Sequence, residues 1–164
     1  MDTVDQWMPT KAAHLIVLGL KEVGKPYVWG STGSLSGPLQ AYDCSEFVKN
    51  LLARVGVREV VNSSGIVTPI TEFDPSWRQW ERSRTIPLAD GIGTAGALLF
   101  CRSPIAYPRN PHHIGHVAIS LGNGYVLEAR GRAFGVVVSR VRKSLNLATK
   151  VDSLYGAACV SPPR

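Results

Sequence analysis

Three residues of this chain could together break an acyl bond: Cys44, His116 and Glu128. Cys44 stands in Tyr42-Asp43-Cys44-Ser45-Glu46-Phe47-Val48 and His116 in Gly115-His116-Val117-Ala118-Ile119, far apart in sequence. A cysteine opening an amphipathic helix, with a histidine opening a distant strand, is how cysteine hydrolases pair a thiolate with its base. If Asp43 caps that helix, Cys44 falls in the first turn, where unpaired backbone N–H groups and the positive end of the helix dipole favour thiolate. The alternative is a small buried core cysteine. The polar neighbours Asp43, Ser45 and Glu46 argue against it, whereas Cys101 and Cys159 lie in apolar strand patterns and read as core.

The case for Glu128 depends on strand register. His116, Ala118 and Ser120 share one face of a strand, and Val117, Ile119 and Leu121 the other. If Gly122-Asn123-Gly124 is a three-residue loop, Leu121 pairs with Tyr125 and His116 with Arg130, so Glu128 becomes a diagonal neighbour of His116. A two-residue loop turns Glu128 to the opposite face. Glu128 is then either the orienter of the imidazole, or a solvated charge, or the ion-pair partner of Arg130. His112 and His116 have the four-residue separation of helical metal ligands, but Pro111 and Gly115 argue against a helix, and no further ligand cluster is evident. No metal and no cofactor is expected.

The elements that must position these groups follow from periodicity. A helix is predicted from about Thr10 to Val23, stopped by Gly24, and a Gly/Ser/Pro loop from Gly30 to Pro38. A second helix runs from Cys44 to Val55, with Phe47, Val48, Leu51 and Leu52 on its buried face and Gly56 ending it. From Val57 to Gly96 the pattern weakens into an excursion over the core, with Trp77 and Trp80 on a short helix. Short strands follow at Gly96–Arg102, His116–Leu121, Tyr125–Arg130, Gly135–Arg140 and Leu154–Val160. Helices first and an antiparallel sheet of about five strands afterwards make an α+β domain.

The 164 residues, 45% hydrophobic and 18% charged, fit one domain over residues 1–164 with a core that needs no staples. Three widely spaced cysteines suggest neither a disulfide framework nor a CxxC metal knuckle. The acidic start Met1-Asp2-Thr3-Val4-Asp5 is unlike a secretory signal, and no apolar run approaches the roughly 20 residues that span a bilayer. Synthesis in the cytoplasm without a signal peptide, and no stable membrane insertion, are expected. The net charge of +6 favours anionic partners such as cell-wall polymers. Arg78, Arg82, Arg84, Arg102, Arg109, Arg130, Arg132, Arg140, Arg142 and Lys143 are scattered, without a nucleic-acid motif, so no nucleic-acid partner is expected.

Taken in order, Tyr27-Val28-Trp29-Gly30, Asp43-Cys44-Ser45-Glu46-Phe47-Val48, Gly96-Ala97-Leu98-Leu99-Phe100 and Gly115-His116-Val117-Ala118-Ile119 with Leu121-Gly122-Asn123-Gly124 resemble the motifs of the NlpC/P60 cell-wall cysteine peptidases. The resemblance covers nearly the whole chain. It implies a papain-like core and an endopeptidase acting on peptidoglycan stem peptides, commonly between γ-D-glutamate and diaminopimelate. It also implies Cys44 as nucleophile, His116 as base and Glu128 as third residue, with Tyr27, Asp43 and Ser45 at the substrate. Core packing is the alternative for Tyr27 and Trp29. Three positions depart from the family pattern: Glu46 stands for the usual Gly, Ala97 for Asp, and Glu128 for the commoner His. Glu128 also resembles the third residue of CHAP amidases, which keeps N-acetylmuramoyl-L-alanine amidase cleavage open; a catalytically inactive wall-binding module is the other alternative. A monomer is expected. Its setting is expected to be that of a bacteriophage endolysin or tail component, reaching the wall after holin-type release or delivery from outside.

Overall fold

The computed structural model describes residues 3–102, 109–141 and 154–160, with side chains from residue 10 onward. Arg142 and Lys143 of the basic set lie outside the described residues. Helix α1 spans Thr3–Leu20, starting earlier and ending sooner than its apolar pattern suggested, and a turn carries the chain to Gly24 at φ +97°. Its buried side is built from Ala12 and Leu15, and Gly19 lets it approach closely. A Cβ at Gly19 would stand 2.5 Å from a Leu127 methyl and 3.0 Å from a Leu51 methyl, so any side chain there would push those leucines aside.

Helix α2, Cys44–Arg54, runs through the core: Phe47, Val48 and Leu51 are fully buried. It ends as expected, with Val55 as C-cap and Gly56 at φ +91°. Glu22, buried after α1, pairs through Oε1 with Arg54 Nη1 at 3.1 Å and through Oε2 with Lys25, joining the ends of the two helices. Asn50 fixes the Gly/Ser/Pro loop by donating from Nδ2 to the carbonyls of Gly37 at 2.8 Å and Ser34 at 3.2 Å.

The stretch after α2 has more order than its weak periodicity indicates. It forms a two-stranded ribbon, β1 Glu59–Val61 with β2 Val67–Pro69, then a 3₁₀ turn at Ile70–Glu72 and helix α3, Ser76–Glu81. Strand β3, Arg84–Ile86, and helix α4, Leu88–Ile92, complete it. The remaining strands are β4 Leu98–Arg102, β5 Ile114–Ser120, β6 Tyr125–Ala129, β7 Val136–Arg140 and β8 Leu154–Cys159. The main sheet is antiparallel in the order β3-β8-β4-β5-β6-β7, six strands rather than five, because β3 leaves the excursion and pairs with β8. One core cluster joins Phe47, Leu51, Leu98, Phe100, Ile119 and Leu127. A second, containing Leu99, Ala118, Val126 and Ala157, is covered by Leu88 and Ile92 around α4.

The register on which Glu128 depends is the odd-loop one. Ile119 pairs with Leu127 and Ser120 with Val126, and the Leu121 N–H donates to the Tyr125 carbonyl at 2.8 Å. Gly122 and Gly124 take φ +82° and +84°, while the Asn123 side chain accepts from the Tyr125 N–H at 3.2 Å. Continued down the pair, this register sets His116 opposite Arg130 and Glu128 opposite Ala118.

Candidate active site

Asp43 constructs the turn that carries Cys44. Its backbone is extended, and its Oδ1 accepts from the Glu46 N–H at 2.8 Å and from the Ser45 hydroxyl at 3.3 Å. Oδ2 accepts from the Gly30 N–H at 3.1 Å, and the Asp43 N–H donates to the Ser31 hydroxyl at 2.9 Å. One side chain therefore caps α2 and ties the Tyr27–Gly30 segment to it. Burial pushes the Asp43 carboxyl up, only partly offset by those hydrogen bonds from Glu46, Ser45 and Gly30.

Cys44, 8% exposed, lines a cleft of about 520 Å³. Tyr27, Asp43 and Ser45, the expected substrate residues, line the same cleft. Tyr27 bridges Tyr42 in parallel fashion. Trp29 also lines the cleft and is 73% exposed, so the core position weighed for it is not the one it takes.

His116 lies behind this cleft, whose wall includes its neighbours Ile114 and Gly115. The imidazole is 16% exposed and the Glu128 side chain fully buried, with His116 Nε2 3.7 Å from Glu128 Oε2. That separation is an ion pair slightly longer than a hydrogen bond, so the carboxylate acts on the ring through its charge. Burial by itself drives the His116 pKa down, but Cys44 and Glu128 outweigh it, and the value is pushed up to about 10. The ring is therefore an imidazolium at neutral pH, held between a sulfur and a carboxylate. Glu128 Oε1 meets the Arg130 Nε at 3.6 Å, so the carboxylate faces two cations, one oxygen to each.

Several supporting residues were beyond the reach of sequence reasoning. Glu46, 1% exposed at the position of the family's glycine, lies beside Lys49, whose Nζ stands 3.1 Å from both Glu46 Oε2 and Asp74 Oδ2. Burial pushes the Glu46 carboxyl up despite Lys49, whereas Lys49 is itself raised because Glu46 and Asp74 outweigh its burial. Asp74, Trp77, Arg78 and Arg109 join the cleft lining. Gln79 donates from Nε2 to the carbonyls of Ser45 at 3.0 Å and Phe73 at 2.8 Å, bracing the Cys44 turn from α3. Asn110 brackets Ile114, donating to its carbonyl at 2.6 Å and accepting from its N–H at 3.3 Å, just ahead of His116. For Asp74, Trp77, Arg78 and Gln79 the signal was only the length of the excursion from Val57 to Gly96, whereas Glu46 was marked by its departure from the family's glycine.

His112 does not share a site with His116. Its ring nitrogens face the Tyr155 hydroxyl and Glu81 Oε1, each at 3.2 Å. Among the described residues no group of three His, Cys, Asp or Glu side chains could hold a metal ion, and no helix is long and apolar enough to cross a membrane.

Residues 24–152 match the NlpC/P60 family model. The peptidoglycan endopeptidase RipB of Mycobacterium tuberculosis is 35% identical over 132 residues, which are 75% of this chain and 45% of RipB. The chain thus spans less than half the length of that curated relative. The structure of the peptidoglycan hydrolase RipB from the same organism is similar with a TM-score of 0.64 at 27% identity, over 93% of this chain and 66% of that one. The P60 domain of an antigen from M. avium subspecies paratuberculosis gives 0.65 at 27% identity, over 93% and 96% of the two chains.

Proposed function

Because the chain belongs to the NlpC/P60 family, we propose that it is a peptidoglycan endopeptidase that cleaves stem peptides with Cys44 as nucleophile, His116 as acid–base and Glu128 as orienter. The observation that carries this reading is His116 set beside Cys44 with its Nε2 3.7 Å from the fully buried Glu128 Oε2. The Cys44 thiolate attacks the scissile carbonyl. Two N–H groups at the start of α2, those of Cys44 and Ser45, take no part in the Asp43 cap and receive the oxyanion, with the Tyr27 hydroxyl assisting. His116 then gives its proton to the departing amine, leaving a thioester, and next takes a proton from the water that hydrolyses it. Glu128 steadies the charged form of the ring throughout.

The bond proposed for cleavage is the one between γ-D-glutamate and diaminopimelate. Purified peptidoglycan digested with the wild-type chain and analysed by mass spectrometry should yield new stem-peptide ends. A freed lactyl group would instead mean amidase cleavage. Cys44→Ala should stay folded and lose at least about 10³-fold in turnover, since the nucleophile is not replaceable; full activity in that variant would remove Cys44 from its role. We further place the activity in host-cell lysis by a phage-borne enzyme, a reading supported by a net charge of +6 suited to an anionic wall.

A further inference from the structure

Glu128 is a fully buried carboxylate whose oxygens have no hydrogen-bond partner among the described residues, yet it faces two cations. Oε2 lies 3.7 Å from His116 Nε2 and Oε1 3.6 Å from Arg130 Nε. A buried charge of this kind needs compensation, and the two cations differ in kind. The histidine gives up its proton during acyl transfer, whereas a guanidinium is never deprotonated. When His116 loses its proton to the leaving group, Arg130 is the charge that remains on the carboxylate.

Arg130 is itself held in place. Its guanidinium carbon stacks 4.3 Å from the centroid of the Phe134 ring, and its Nη1 donates to the Ser139 hydroxyl at 3.5 Å. Phe134 is 52% exposed, so it contributes little to the core and has the guanidinium as its evident partner. The turn between β6 and β7 places it: the Phe134 and Gly135 N–H groups both donate to the Gly131 carbonyl, at 3.1 and 2.9 Å.

We propose that Arg130 is a positioning residue of the acid–base pair: clamped by Phe134 and Ser139, it fixes the Glu128 carboxylate so that one oxygen always faces His116. The proposal rests on the endopeptidase reading and extends the constellation from three residues to four. It makes the β6–β7 turn a working part of the site although it lies outside the cleft lining.

The test is steady-state kinetics on a soluble stem peptide with purified Arg130→Met, Arg130→Lys, Glu128→Gln and the Arg130→Met/Glu128→Gln double variant. Arg130→Met should lower kcat about 10-fold with KM unchanged, and Arg130→Lys should recover most of it. In the Glu128→Gln background the same Arg130→Met change should have no further effect, a non-additivity that general loss of structure would not produce. Phe134→Ala, at an exposed position, keeps the question open to measurement if Arg130→Met fails to fold. It should lower kcat about 3-fold in wild type and not at all with Glu128→Gln. Equal kcat in wild type and Arg130→Met, or additive losses in the double variant, would overturn the proposal. A wild-type chain that cleaves no stem peptide would instead overturn the endopeptidase reading.

Discussion

At the scale of single residues, the charge state of His116 governs what the site can do. Its ordinary value is 6.5 and its folded value about 10, so folding favours the protonated ring. The resulting stabilisation is complete below about pH 6.5 and is lost as pH rises through about 10. Activity that needs the imidazolium should therefore persist well above neutrality, and the basic limb of kcat/KM should fall near pH 10. Glu128→Gln removes one of the two groups that raise His116, so the same limb should move to lower pH. A profile whose basic limb is identical in Glu128→Gln and wild type would show that the carboxylate does not act on the ring. Cys44, His116 and Glu128 were legible because each carries chemistry in its type and sits at a fixed place in a periodic element. Arg130 was not, since an arginine at a strand end looks like any other surface charge until its neighbours are known. Trp29 misled for the opposite reason: its type suggests a core, and only the fold reveals that 73% of it is exposed.

At the scale of elements, the site depends on the parity of one loop. Gly122-Asn123-Gly124 is odd in length, and the pairing of Ile119 with Leu127 keeps His116 and Glu128 on one face. Inserting one glycine after Asn123 should slip the register by one residue or force a bulge. Either outcome separates the imidazole from the carboxylate. Turnover should fall at least about 10²-fold while far-UV circular dichroism and cooperative unfolding are kept; near wild-type activity would mean that the pair needs no shared face. The alternation of β5 and β6 made this parity readable in advance, conditional on the loop. Helix α2 was readable too, because Phe47, Val48, Leu51 and Leu52 recur at helical spacing and are buried, whereas the five-residue α4 was not. Strand β3 escaped because three residues, Arg84-Thr85-Ile86, are too few to show a period, and its pairing with β8 is set by residues some seventy positions away. The bracing of the Cys44 turn by Gln79 was hidden likewise, since a buried glutamine reveals its partners only in three dimensions.

At the scale of the whole molecule, charge and topology matter most. A net charge of +6 should hold the chain on an anionic wall through exposed, screenable attraction. Applied to cells whose membrane a hole-former has opened, the chain should lyse them at ~0.05 M salt and much less at ~0.5 M, where the Debye length is short. Cleavage of a small soluble stem peptide should change little between the same conditions. Lysis insensitive to salt would rule out charge as the means of retention, and producing cells that lyse with their membrane intact would count against delivery through a membrane hole. The sheet order adds a consequence in time. Strand β8, Leu154–Cys159, lies between β3 and β4, which were made about seventy and fifty residues earlier. Until β8 leaves the ribosome, β3 has no neighbour and β4 keeps one open edge, so the sheet cannot close around a nascent chain. Any hydrolytic activity that depends on the closed sheet therefore waits until β8 has been made.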